Sequence, residues 1–120
     1  MRTLIQRVRS ATAVLDGRPL AGIGAGLVVL VGFGRGDDRE VVDRMASKVA
    51  NLRVFEHGDS KFGRSVLQEG GEVLAVSQFT LYADCSRGRR PNFSGSLPPE
   101  PAEVLYRRFV DRLSVAGVRR

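Results

Sequence analysis

Residues 26–33, Gly-Leu-Val-Val-Leu-Val-Gly-Phe, are apolar on both faces of an extended chain. Alternation would mark a half-buried strand, whereas an unbroken apolar run between glycines reads as a strand covered on both sides. Such a strand needs partners along its edges and a layer over its faces. The chain is thereby confined to a layered fold with this strand at the centre of a sheet. Residues 72–81, Glu-Val-Leu-Ala-Val-Ser-Gln-Phe-Thr-Leu, repeat the pattern and predict a second buried strand.

The remaining elements group around these two. Residues 3–15 are β-prone with partial alternation and read as one strand, and Asp16-Gly17-Arg18-Pro19 as the turn into a short strand over 19–23. Gly34-Arg35-Gly36 breaks the central strand, and Asp37, with Glu40 three residues on, has the spacing of a helix N-cap. Val41, Val42, Met45, Val49 and Leu52 then recur at helical spacing and predict a helix over about 38–51. Residues 52–56 return to strand character, 57–61 read as a turn, 62–71 as irregular and 84–99 as a long loop. A last helix begins near Pro101, buries Ala102, Leu105, Phe109 and Leu113, and ends at Gly117. The order β-β-β-α-β-β-α predicts an α+β fold: a single domain over 1–120, with a mixed β-sheet or partial barrel and two helices packed on one face.

Charge suggests a partner. Seventeen arginines against two lysines, and a net charge of +6, make a surface that attracts polyanions such as nucleic acid. No apolar run approaches the roughly 20 residues that cross a bilayer, and the opening residues lack the apolar region and cleavage site of an export signal. These features, with a single cysteine, lead to the expectation of a cytoplasmic protein with no membrane partner.

Several motifs fail chemically. Gly22-Ile23-Gly24-Ala25-Gly26 precedes a strand, whereas a phosphate cradle follows one. Gly32-Phe33-Gly34-Arg35-Gly36 is placed correctly, but Asp37, Asp38 and Glu40 would repel phosphate from the helix start. His57, the sole histidine, sits in a turn beside Gly58-Asp59, and one histidine with one cysteine makes no zinc site. Cys85 reads as an incidental small side chain, a reactive thiol beside Arg87 being the alternative. Of the basic clusters, Arg107-Arg108 reads as a solvated flank and Arg119-Arg120 is terminal. Arg87-Gly88-Arg89-Arg90 follows a buried strand directly and suits a clamp for RNA phosphates.

Ser77-Gln78-Phe79-Thr80 ends an apolar strand with hydrogen-bonding side chains. Either the strand is leaving the core, or its end presents backbone N–H groups and a hydroxyl to a cleft. The stretch Ser77-Gln78-Phe79-Thr80-Leu81-Tyr82-Ala83 closely resembles the signature of the D-aminoacyl-tRNA deacylases. Ile5-Gln6-Arg7-Val8, Ile23-Gly24-Ala25-Gly26-Leu27, Arg53-Val54-Phe55, Gly70-Gly71 and Arg87-Gly88-Arg89-Arg90-Pro91-Asn92-Phe93-Ser94 are similar to that family in order and spacing. The resemblance covers essentially the whole chain.

What it implies is a homodimeric hydrolase acting on aminoacyl-tRNA. Such an enzyme frees tRNA of D-amino acids, and of glycine on a non-cognate tRNA, without metal or organic cofactor. The backbone N–H groups of Phe79 and Thr80 would hold the developing oxyanion. Ser77, Gln78 and Phe79 would line the terminal adenosine pocket, Ala83 would join the substrate contacts, and Arg7 would support the site from the first strand. Arg87, Arg89 and Arg90 would contact tRNA. The Thr80 hydroxyl is either a nucleophile or a positioning group working with the tRNA's terminal ribose hydroxyl. The lack of a base in the sequence favours the second.

Members of that family continue into further strand structure with an Asn-x-Gly-Pro-Val-Thr motif that excludes L-amino acids. The present sequence has no counterpart, its last proline being Pro101. The expectation is an incomplete deacylase lacking the chiral filter, part of the dimer contact and one covering strand. A non-catalytic or truncated tRNA-binding relative that has lost chiral selectivity is the alternative, and an editing domain attached to a synthetase is a third.

Overall fold

The computed structural model describes residues 1–118; the basic pair Arg119-Arg120 lies outside the described residues. β4 (Gly26–Gly32) is the middle strand of a three-stranded sheet, as its two apolar faces require. β1 (Arg2–Val8) pairs with it antiparallel, Leu4 opposite Leu30, and β7 (Glu72–Ser77) pairs parallel on the other side, Val31 opposite Ser77. The sheet is therefore mixed. Gly26 permits the close start of the β4–β7 pairing: a Cβ there would lie 1.8 Å from the Glu72 carbonyl oxygen.

A parallel pair needs a long crossover, and residues 33–71 supply it. They contain α1 (Arg39–Asn51), the hairpin of β5 (Arg53–His57) and β6 (Ser60–Ser65), and the single turn α2 (Val66–Glu69). The N-cap of α1 is Asp38, whose carboxylate accepts the Val41 N–H at 3.0 Å, rather than the expected Asp37. Asp37 instead accepts the Gly34 N–H at 2.7 Å and pairs with the Met1 ammonium at 2.6 Å. The core joins Leu27, Val29 and Val31 of β4 to Val42, Ala46 and Val49 of α1 and to Leu105, Phe109 and Leu113 of α3 (Pro99–Val115). Arg108, read as a solvated flank, links the two helices by donating to both Asp43 oxygens at 2.8 and 2.7 Å.

Four local expectations are corrected. The single strand over 3–15 is two: β1 ends at Val8, and β2 (Ala11–Leu15) forms a hairpin with β3 (Arg18–Ile23). The stretch read as irregular holds most of β6 and all of α2. Polar residues hide the strand, and the helix turn is fixed by a capping box, Gln68 N–H to Ser65 Oγ at 3.2 Å and Ser65 N–H to Gln68 Oε1 at 2.9 Å. The strand expected to reach residue 81 stops at Ser77, and α3 starts at Pro99 rather than Pro101. The α+β architecture itself, with α1 and α3 packed on the sheet, is as expected.

Candidate active site

β7 ends where its partner ends. Gln78 N–H donates the last bond along that edge, to the Val31 carbonyl at 2.7 Å, and β4 stops at Gly32. The chain then bends over that glycine into a 3-10 turn, Phe79–Tyr82. A Cβ at position 32 would lie 3.0 Å from both the Gln78 carbonyl oxygen and the Leu81 Cβ. The first bond of the turn runs from Leu81 N–H to the Gln78 carbonyl at 3.2 Å, and the last from Ala83 N–H to the Thr80 carbonyl at 3.1 Å. The N–H groups of Phe79 and Thr80 precede the first bond, so the turn does not use them. Among the described residues, this leaves two adjacent donors at the end of β7.

A cleft of about 510 Å³ opens beside them. Ser77 and Phe79 line it together with Arg35, Ser96, Glu103 and Tyr106. Phe79 is 57% exposed, and its ring meets that of Phe93 at 5.2 Å and 58°. The loop forming the opposite wall is pinned to the end of the central strand. Leu97 N–H donates to the Phe33 carbonyl at 2.9 Å, Arg35 N–H to the Gly95 carbonyl at 3.0 Å, and Arg35 Nε to the Ser94 carbonyl at 2.6 Å. The Tyr106 hydroxyl donates to the Ala75 carbonyl at 2.8 Å, fixing α3 to β7. Gln78 and Thr80 are not part of this wall; the Gln78 side-chain amide donates to the Thr80 hydroxyl oxygen. An amide is no base in either orientation, so this contact does not make Thr80 a nucleophile.

The other expected site residues are distributed more widely. Ala83 is half-buried and closes the turn. Arg87, Arg89 and Arg90 are exposed on a loop whose base is tied by reciprocal backbone bonds between Asp84 and Asn92, 2.7 and 2.9 Å. The Ser86 hydroxyl and N–H hold the Asp84 carboxyl below its ordinary pKa. Arg7 is not brought to the turn: it pairs with Leu27, four residues along β4 from the Val31 that faces Ser77, and donates to the Val54 carbonyl at 3.0 Å. His57 pairs with Ser60 in the β5–β6 hairpin, and Cys85 is exposed on the basic loop.

Arg2, on the same strand, does reach the turn. Its Nη1 donates to the Leu81 carbonyl at 2.9 Å, and its guanidinium lies 4.4 Å from the centre of the Tyr82 ring. Burial pushes the Tyr82 phenol pKa up and Asp37 adds to this, while Arg2 opposes it. Sequence reasoning did not single out Arg2, Arg35 or Glu103, and reached Tyr82 only as part of the seven-residue stretch. Arg2 reads as one more strand cation and Arg35 as part of a glycine turn, so neither carried a signal of its own.

The ordering of these parts matches a known family, whose model, described as D-Tyr-tRNA(Tyr) deacylase, aligns with residues 4–119. The chain belongs to the D-Tyr-tRNA(Tyr) deacylase family. A D-aminoacyl-tRNA deacylase of Symbiobacterium thermophilum is 52% identical over 118 residues, 98% of this chain and 78% of that relative. The solved structure of c-Myc DNA Unwinding Element Binding Protein superposes with a TM-score of 0.91 at 36% identity, over 97% of this chain and 78% of that one. A probable eukaryotic D-amino acid tRNA deacylase, at 18% identity and a TM-score of 0.81 over 95% of this chain and 67% of its own, shares the deacylase fold.

Proposed function

We propose that the chain hydrolyses the ester joining a D-amino acid to the terminal adenosine of tRNA, with the Phe79 and Thr80 N–H groups receiving the oxyanion. The observation carrying this reading is the pair of adjacent donors left unused by the 3-10 turn, beside a cleft walled by Ser77 and Phe79. Water attacks the ester carbonyl, and negative charge develops on its oxygen, where fixed donors act most strongly. The tetrahedral intermediate collapses by expelling the ribose oxygen, which must gain a proton. Thr80, held by Gln78, orients water or substrate, and the neighbouring hydroxyl of the terminal ribose relays the proton.

The exposed Phe79 ring, braced by Phe93, offers a stacking face for the adenine, with Ser77 and Gln78 beside it and Ala83 at the end of the turn. Arg87, Arg89 and Arg90 grip phosphates of the acceptor end. Arg7 supports the site at one remove, by tying β1 to the Val54 carbonyl of β5. Glycine carries no side chain to be refused, so glycyl esters on a non-cognate tRNA belong to the same substrate range. The working form is a homodimer in the cytoplasm.

The likeness to the c-Myc DNA Unwinding Element Binding Protein supports a second reading, a nucleic-acid binder without turnover. Both readings share a salt-dependent affinity for tRNA. Release of amino acid from D-tyrosyl-tRNA, with L-tyrosyl-tRNA alongside, separates them. Faster release from the D-ester is expected; binding without release would make the chain a binder, and equal release from both esters would refute D-selectivity.

A further inference from the structure

We propose that Arg2 is a positioning residue for this hydrolysis, holding the carbonyl side of the turn that carries Phe79 and Thr80. The proposal rests on the deacylase reading and names a residue that the signature does not contain.

A four-residue 3-10 turn holds itself poorly, because its hydrogen bonds are few and badly aligned. The bonds from Leu81 N–H and Ala83 N–H end on the Gln78 and Thr80 carbonyls, and the Leu81 carbonyl meets a donor from outside the turn. Arg2 Nη1 supplies that donor at 2.9 Å. The same guanidinium lies 4.4 Å from the centre of the Tyr82 ring, so one side chain grips two successive residues of the turn. A cation at the carbonyl end also opposes the partial negative charge collected there.

The other end of the grip is rigid. Arg2 is opposite Gly32 in the β1–β4 ladder, and its backbone is therefore fixed to the strand over which the turn bends. The Tyr82 ring is seated on Gly34, where a Cβ would lie 2.5 Å from Cε1 of the ring. Movement of Arg2 passes through Leu81 and Tyr82 to the amides of Phe79 and Thr80. Arg2 is itself exposed and outside the hydrophobic core, so replacing it leaves the packing of the sheet intact.

The test compares the full chain with Arg2→Ala and Arg2→Lys. In D-tyrosyl-tRNA hydrolysis, Arg2→Ala is expected to lower kcat on the order of tenfold with KM within about twofold, less than the 10²–10³ that losing an oxyanion donor costs. Lysine still places a cation by the ring and a donor by the carbonyl, so Arg2→Lys restores most of the loss. In tyrosine ring NMR, Tyr82 titrates at higher pH in Arg2→Ala than in the parent, because the cation favouring phenolate is gone. An Arg2→Ala variant with the parent's kcat overturns the proposal. So does a loss confined to KM with a shallower salt dependence, which would make Arg2 a phosphate contact. If the parent does not turn over, the deacylase reading fails by itself, and amide hydrogen exchange decides the positioning. Faster exchange in Arg2→Ala at Leu81 and Ala83, whose N–H groups are bonded in the turn, upholds it; unchanged exchange there overturns it.

Discussion

The ring of Tyr82 occupies the space that any side chain at Gly34 would need, with Cε1 2.5 Å and Cζ 2.7 Å from where a Cβ would stand. This contact seats the end of the 3-10 turn on the loop that leaves the central strand. The rigid ring is not the loose end of a flexible side chain, so Gly34→Ala must displace it. We expect a destabilisation of about 1–3 kcal/mol, the usual cost of overpacking, together with reduced turnover. Urea denaturation and D-tyrosyl-tRNA hydrolysis measure the two; a variant of parental stability and activity would show that the ring seat is unimportant.

The Thr80 hydroxyl accepts from the Gln78 amide, and no base is bonded to it among the described residues. Thr80→Ala should therefore lose less than about 10²-fold in kcat, while a tRNA lacking the neighbouring terminal ribose hydroxyl loses on the order of 10²–10⁴. Loss of all activity in Thr80→Ala with recovery in Thr80→Ser would instead make Thr80 the nucleophile.

Much of the frame was legible because burial leaves a pattern. A run apolar on both faces placed β4 between two partners, and five apolar residues at helical spacing placed α1 over it. Polar strands leave no such trace: Ser60–Ser65 is held by pairing with β5, and its side chains do not report it. The capping box Ser65-Val66-Leu67-Gln68 was a readable signal for α2 that went unused. The end of β7 at Ser77 was not readable locally, because it is set by where β4 stops. At the site, the seven-residue signature led to the donors, whereas the contact between Arg2 and the turn, 79 residues apart in sequence, exists only in the folded chain.

Asp43 and Arg108 join α1 to α3, and the hydrogen bonds from Arg108 hold the Asp43 carboxyl below its ordinary pKa. A carboxyl depressed in the folded state contributes stability above its unfolded pKa, about 3.9, and loses that contribution as pH falls through the folded value. The Tm advantage of the parent over Asp43→Asn should be complete at neutral pH and shrink below about pH 4. An advantage that persists unchanged into acid would contradict the pairing.

Arg87, Arg89 and Arg90 share one exposed loop beside the turn. If each neutralises a phosphate, replacing all three by alanine reduces the slope of log K against log salt for tRNA by about 2–3, at roughly 0.7–0.9 per contact. A parallel line displaced to weaker binding would mean that the arginines act by some means other than counterion release.

The proposed chemistry rests on the backbone N–H groups of Phe79 and Thr80, and comparing Phe79→Pro with Phe79→Leu separates the N–H from the side chain. Proline is tolerated at the first position of a helical turn, and Gln78 before it is already extended at φ −143° and ψ 91°. Both variants lose the ring contact with Phe93, but only proline removes the N–H. The kcat of Phe79→Pro is expected on the order of 10²–10³ below that of Phe79→Leu. Equal turnover in the two variants would contradict it.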